Sequence, residues 1–322
     1  MQVSQKLKNN KKLLDRILTF IKWSSTIGIL LFLFFKLEDS FSSDYFLKLL
    51  TVLKTKFFLF LVLIVLAILN WGLEALKWKV LVREIERISF LTSYKAIILG
   101  LGVSLSVPRS IGEVLGRLWS LKNKGREAVI GALLISRAFQ LSTTLLGGFC
   151  SLLYFFYQGK LNVVMKDVAL IALAVTIGLV VLVSIALYFS KKENKFTKYI
   201  KTLNSYSIKQ LLYVWFLAFL RFCIYATQYY LIINTLSQKT GIILFAGILL
   251  VYLVKSIIPS VHALSDELVR QGSAVIVFSL IGVSKEAVII SSALIWMLNL
   301  LLPSLLGVFL IPSAKIFLEN KT

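Results

Sequence analysis

Apolar runs long enough to cross a bilayer recur along this chain, bounded by clusters of lysine and arginine. A membrane helix needs about 20 apolar residues. Residues 17–35, 57–76, 128–157, 168–189, 211–236 and 287–311 meet that length, which predicts six full spans. Between them lie two pairs of shorter apolar runs. The first pair is 93–107 and 110–121, divided by Pro108; the second is 241–258 and 263–280, divided by Pro259. Proline disfavours helix at the residue before it, so Val107 is expected to end the incoming helix of the first pair. Lys77, Lys79, Arg83 and Arg87 precede that pair, and Lys122, Lys124 and Arg126 follow it. Entering and leaving on one side is the simplest solution, which makes each pair a broken, re-entrant hairpin. Two thin full spans give the same sidedness. Pro108, Gly112 and Pro259 are the residues expected to shape the breaks.

The order of elements repeats. Each half reads span, span, hairpin, span. Lys124-Gly125-Arg126-Glu127-Ala128-Val129-Ile130 opens the span after the first hairpin, and Lys285-Glu286-Ala287-Val288-Ile289 opens the span after the second. Three full spans per half is an odd number, so the second half is inverted. Inverted repeats with broken helices near the midplane mark many secondary transporters. The expected fold is an all-α polytopic membrane protein, one domain over residues 1–322, with repeats at about 17–157 and 168–312.

Composition agrees with a membrane protein: 58% of residues are hydrophobic and the mean hydropathy is +0.86. The formal net charge of +21 suits either nucleic acid or anionic lipid. Its placement favours lipid. Basic clusters such as Lys6–Arg16 and Lys191–Lys209 fall in segments assigned to the cytoplasm, and Glu38, Asp39 and Asp44 fall outside. Both termini are then cytoplasmic, and no nucleic-acid partner is expected. Residues 1–16 are too polar and basic for a cleavable signal peptide. Cys150 and Cys223 lie inside apolar runs and read as buried free thiols. His262 is the sole histidine and reads as a polar hairpin residue, so schemes needing two histidines are excluded. No metal site and no cofactor is expected. Most aromatics read as lipid-facing bulk and interfacial belt.

Ionisable groups at membrane depth cost about 2.5–3.5 kcal/mol each on insertion scales. This chain keeps several. Arg109, Glu113 and Arg117 follow Pro108; Asp266, Glu267 and Arg270 follow Pro259. Arg137 heads a stripe with Gln140 and Thr144, and Arg221 heads one with Tyr225 and Gln228. One reading is that these charges pair and lock the bundle, as Glu113–Arg117 and Glu267–Arg270 can do locally. The arginines outnumber the nearby acids, however, and a lipid phosphate is the obvious further partner, because guanidinium suits phosphate oxygens bidentately. Helix N-termini near Arg109 and Ala263 add positive dipole ends. The candidate substrate-binding set is Arg109, Glu113, Arg117, Arg137, Gln140, Arg221, Tyr225, Gln228, Glu267 and Arg270. The glutamates would tune selectivity or carry a proton. Glu74 and Lys255 read as snorkelling or locally paired groups, Glu74 with Lys77.

At these residues the chain resembles the lysylphosphatidylglycerol synthase transmembrane region, the flippase-like domain family. The resemblance rests on Pro108-Arg109-Ser110-Ile111-Gly112-Glu113-Val114-Leu115-Gly116-Arg117 and on Lys77-Trp78-Lys79-Val80-Leu81. It extends to Pro259-Ser260, Glu267-Leu268-Val269-Arg270, Asn299 and Pro303. In Ser136-Arg137-Ala138-Phe139-Gln140 the family's arginine is kept and its two carboxylates are absent. The resemblance implies a bacterial cytoplasmic (inner) membrane protein. Its implied function is movement, between leaflets, of a phospholipid or lipid phosphate with a modified head group. A separate synthase or glycosyltransferase is an implied partner, since the soluble transferase domain of bifunctional members is absent from these 322 residues. Two other readings stay open at this level: a membrane transferase or phosphatase acting on a lipid phosphate, and a non-transporting scaffold for a glycosyltransferase.

Overall fold

The structure is a computed structural model that describes residues 55–105, 107–122, 126–159, 205–258 and 263–311. The spans expected at 17–35 and 168–189, the break at Pro259 and His262 lie outside the described residues. Among the described residues every regular element is helical. The helices are α1 (Phe57–Val82), α2 (Phe90–Val103), α3 (Arg109–Trp119), α4 (Arg126–Tyr157) and α5 (Ile208–Ser237). They continue with α6 (Ile242–Ile257), α7 (Ala263–Ser279), α8 (Lys285–Trp296), a π-helical turn (Met297–Leu301) and α9 (Leu302–Leu310). Among the described residues four stretches are long and apolar enough to cross a membrane: α1, Glu127–Tyr157, α5 and Lys285–Leu310. The chain is an integral membrane protein.

Helix α1 shows how the faces divide. Leu61, Val65, Ile68 and Leu69 form an exposed apolar stripe. Leu63, Ala67, Trp71, Ala75 and Trp78 are buried on the opposite face. An apolar face turned outward is what lipid as solvent permits. The helix runs on to Val82, past the expected end at residue 76, because Lys77 is not a loop residue. It is buried and its ammonium meets the Glu74 carboxylate at 2.7 Å.

The outer ends of the α2–α3 and α6–α7 pairs lie at opposite ends of the described helices. At one end the Tyr206 hydroxyl donates to the Leu81 carbonyl (2.6 Å), Gln210 donates to Glu84 and the Lys122 amide donates to Glu86. The α2–α3 arms start and finish there. At the other end Lys56 and Leu59 sit beside Thr235 and Leu236, so α1 and α5 run antiparallel. There the Lys239 ammonium donates to the Ile281 carbonyl, closing the open end of α6–α7. Between these ends Arg109 Nη1 lies 3.7 Å from the Asp266 carboxylate.

Helix α2 ends at Val103, four residues before the expected Val107. Pro108 does restrict its neighbour, but Val107 already lies in the turn. The Ser104 hydroxyl donates back to the Gly100 carbonyl (2.7 Å) and finishes the helix first. The arms then pack through glycine: a Cβ at Gly100 would lie 3.3 Å from the Glu113 Cα, and one at Gly116 would lie 2.5 Å from the Gly100 Cα. Helix α2 also packs on α9, and α6 on α4.

The last span is not a uniform α-helix, as 287–311 would suggest. Pro303 has no N–H for the Asn299 carbonyl four residues back. The π-helical turn lies there, and the Trp71 indole donates to that same carbonyl (2.9 Å). Asn70 completes the contact by donating to the Asn299 side chain (3.0 Å). Some aromatics also fill the interior: Trp71, Trp78, Phe155, Tyr229, Tyr252, Phe278 and Trp296 are all buried. Cys150 is exposed rather than buried, because it sits on the outward face of α4, and Cys223 is half-buried; both are free thiols.

Candidate functional site

The site is a cavity of about 460 Å³ between α1, the first hairpin, α4 and α5. Its charged lining is Lys77, Arg109, Arg117, Arg137 and Arg221 against Glu74 and Glu113, a surplus of three positive charges. Helix geometry delivers each group. Arg137 and Arg221 stand mid-way along α4 and α5. Arg109 opens α3, so the helix's positive end points at the same region as its guanidinium. Arg109, Glu113 and Arg117 follow one another at intervals of four residues and share one face of α3.

Glu74 is the hub of the deeper wall. It meets Lys77 at 2.7 Å, Arg117 at 2.8 Å and Arg221 at 3.0 Å. Arg117 also lies over the Trp78 ring, and Arg221 over the Trp71 ring at 4.9 Å. Glu113 is the hub of the outer wall. One carboxylate oxygen accepts from Arg109 (3.1 Å) and the other from Arg137 (3.0 Å). Its backbone carbonyl accepts from Arg117. Glu113 thus stands in for the acids missing beside Arg137 in the chain. The Arg137 side chain remains 48% exposed, so it has room for a further ligand. The Arg117 Nε is buried without a partner among the described residues, a donor left over inside the site.

A second chamber of about 200 Å³ adjoins the first. Trp71, Arg109, Gln140 and Arg221 line both. Beyond them the second chamber is walled by Tyr225, Tyr252, Lys255 and Asp266, with Lys255 and Asp266 paired at 2.8 Å.

The structure therefore gathers Arg109, Glu113, Arg117, Arg137, Gln140 and Arg221 around one cavity, and Tyr225 around its neighbour. Three predicted residues lie elsewhere. Gln228 is fully buried and donates to the Leu63 carbonyl, lining neither chamber. Glu267 and Arg270 are paired with each other, and Arg270 also donates to the Tyr225 hydroxyl (2.6 Å). They form the floor behind Tyr225. Sequence reasoning placed Glu74 at the end of its span and paired it with Lys77. That pairing is present, but Glu74 also neutralises two arginines from distant helices. The signal was available: Asn70, Trp71, Glu74, Lys77 and Trp78 recur at three- and four-residue intervals, a polar stripe inside an apolar helix. Pro108 directly precedes α3, and Gly112 faces Ser104 in the turn.

The family described as the lysylphosphatidylglycerol synthase TM region matches residues 18–307. No curated protein and no solved structure matches the chain.

Proposed function

We propose that this chain, which belongs to the lysylphosphatidylglycerol synthase TM region family, is a lipid flippase that moves a phospholipid or lipid phosphate with a modified head group between leaflets. The observation that carries the reading is the surplus of three positive charges around one cavity reached from four helices. Charges walled in protein are costly to keep unpaired. An anionic head group relieves that cost, and guanidinium forks at Arg109, Arg137 and Arg221 suit its phosphate oxygens. Glu113 and Glu74 hold the forks in place and set how much negative charge the cavity still accepts. Tyr225, Glu267 and Arg270 would support the second hairpin as it moves.

An inverted repeat is part of the proposal. Its support is a register that runs through buried positions. Leu63, Ala67, Trp71, Ala75, Trp78, Leu81 and Val82 of α1 correspond in spacing to Val214, Ala218, Phe222, Ala226, Tyr229, Ile232 and Ile233 of α5, and all are buried. In that register Asn70 corresponds to Arg221, and the two are hydrogen-bonded (3.0 Å). The Asn70–Asn299 contact then answers to Arg221–Gln140, and Arg117–Glu74 answers to Arg270–Tyr225. Gln140 and Asn299 also fall at the same distance beyond Glu127-Ala128-Val129-Ile130 and Glu286-Ala287-Val288-Ile289. Hairpins that open at opposite ends suit alternating access, in which one half rocks against the other. The proposed setting is a bacterial cytoplasmic membrane, with both termini on the cytoplasmic side and a synthase or glycosyltransferase as a separate partner.

Reconstitution into vesicles carrying a leaflet-specific reporter lipid tests the proposal. Wild-type protein is expected to equilibrate an anionic lipid, with Arg137→Ala and Arg221→Ala at least tenfold slower. Equal translocation by all three would refute the assignment.

A further inference from the structure

We infer that the second chamber is a head-group subsite for a neutral, hydroxyl-bearing group attached to the lipid phosphate, and that it disfavours a cationic one. The inference rests on the anion reading of the larger cavity and specifies what lies beyond the phosphate. The shared walls, Arg109 and Arg221 among them, put the two chambers end to end. A phosphate held in the first would direct its substituent into the second. About 200 Å³ is room for roughly half a dozen water-sized groups, a glycerol rather than a sugar chain.

The hydrogen-bonding inventory matches an alcohol. Tyr252 lines the chamber, is 6% exposed, and its buried hydroxyl has no hydrogen-bond partner among the described residues. A polar group so placed costs free energy until something pairs with it. The Tyr225 hydroxyl accepts from Arg270, which leaves its own proton to donate. Thr144 and Ser256 spend their protons on the Gln140 and Leu253 carbonyls, which leaves their oxygens to accept. A lining with spare donors and spare acceptors fits a hydroxyl, which is both.

Charge argues in the same direction. Across the two chambers Lys77, Arg109, Arg117, Arg137, Arg221 and Lys255 face Glu74, Glu113 and Asp266, and Asp266 is the one acid lining the second. Asp266 is already engaged by Lys255 at 2.8 Å and approached by Arg109 at 3.7 Å. An incoming ammonium would meet a net positive surround and a carboxylate already paired. Trp71, the strongest cation-binding ring of the wall, is already covered by Arg221 at 4.9 Å.

The test is competitive lipid retention by the purified full chain, read by native mass spectrometry. The equimolar lipids have matched acyl chains: phosphatidylglycerol, phosphatidic acid and phosphatidylethanolamine. Wild-type protein is expected to retain phosphatidylglycerol best. Tyr252→Phe is expected to lower the ratio of phosphatidylglycerol to phosphatidic acid about 3- to 10-fold, the effect of one lost hydrogen bond. Phosphatidic acid retention itself should hold. Arg137→Ala, by contrast, lowers both. An unchanged ratio in folded Tyr252→Phe, or preferential retention of phosphatidylethanolamine, overturns the inference. Should Tyr252→Phe fold poorly, Thr144→Val gives the same reading. Retention of no anionic lipid by wild type would sink the anion reading instead. Glycerol 3-phosphate is added as a soluble competitor; displacement of lipid at equal concentration would place the ligand in solution and overturn the lipid source.

Discussion

Three cations converge on the Glu74 carboxylate, so its removal leaves Lys77, Arg117 and Arg221 facing one another inside the bundle. Stripping one member from a buried charge group costs about 3–5 kcal/mol. Glu74→Ala is therefore expected to lower the thermal midpoint in detergent by many degrees, whereas Arg137→Ala, at a half-exposed position, lowers it little. Similar midpoints for the two would show that Glu74 is no hub. A milder effect is expected at Tyr206, whose hydroxyl anchors the start of α5 to the Leu81 carbonyl. Tyr206→Phe should cost about 1 kcal/mol. Burial pushes the Tyr206 phenol above its ordinary range, so its proton is retained in the folded state. That contribution is fully present below about pH 10, the unfolded value, and is lost as pH rises through the folded one. Wild type and Tyr206→Phe should thus converge in stability at strongly alkaline pH. At this scale all four of the cavity's arginines were legible in the sequence, because charge within apolar runs is conspicuous. It undervalued Glu74, because a carboxylate one turn from a lysine near a predicted helix end has an adequate local explanation. Its partners Arg117 and Arg221 are remote in the chain, and nothing in the spacing reveals them.

Among the elements, the first hairpin depends on small residues where its arms touch. A side chain at Gly116 would press into the Gly100 backbone, while one at Gly272 in α7 would meet nothing within 4 Å. Gly116→Val is expected to cost at least about 1–3 kcal/mol through overpacking. Gly272→Ala should be neutral or gain about 0.5–1 kcal/mol as a better helix former. Unfolding midpoints of the pair check both signs, and a tolerated Gly116→Val would contradict the close packing. The break itself was legible from Pro108; its position was not. Proline restricts one residue before it, whereas the turn that forms is set by the Ser104 hydroxyl and by how closely Gly112 approaches Ser104. The π-helical turn at Met297–Leu301 was hidden for a related reason: Pro303 announces a freed carbonyl, but its donor, Trp71, comes from the other half of the chain.

For the whole molecule, the central feature is a polar interior lined by charged groups of α1, α3, α4 and α5. Apolar run length forecast the four spans found among the described residues, and the break at Pro108 forecast polar company beside it. The packing of α2 on α9 and of α6 on α4 has no trace in local pattern because it is a matter of long-range contact. Inversion is tested by labelling in sealed vesicles. In a background free of Cys150 and Cys223, Lys122→Cys and Lys239→Cys are expected to react from opposite faces; reaction from the same face would remove the inverted repeat. The most direct test of the central claim is a cryo-electron microscopy map of the full chain in nanodiscs of anionic lipid. The account predicts density for a head-group phosphate within hydrogen-bond reach of Arg109, Arg137 and Arg221. A map with anionic lipid bound only around the outer rim, and those guanidiniums satisfied by Glu74 and Glu113 alone, would contradict it.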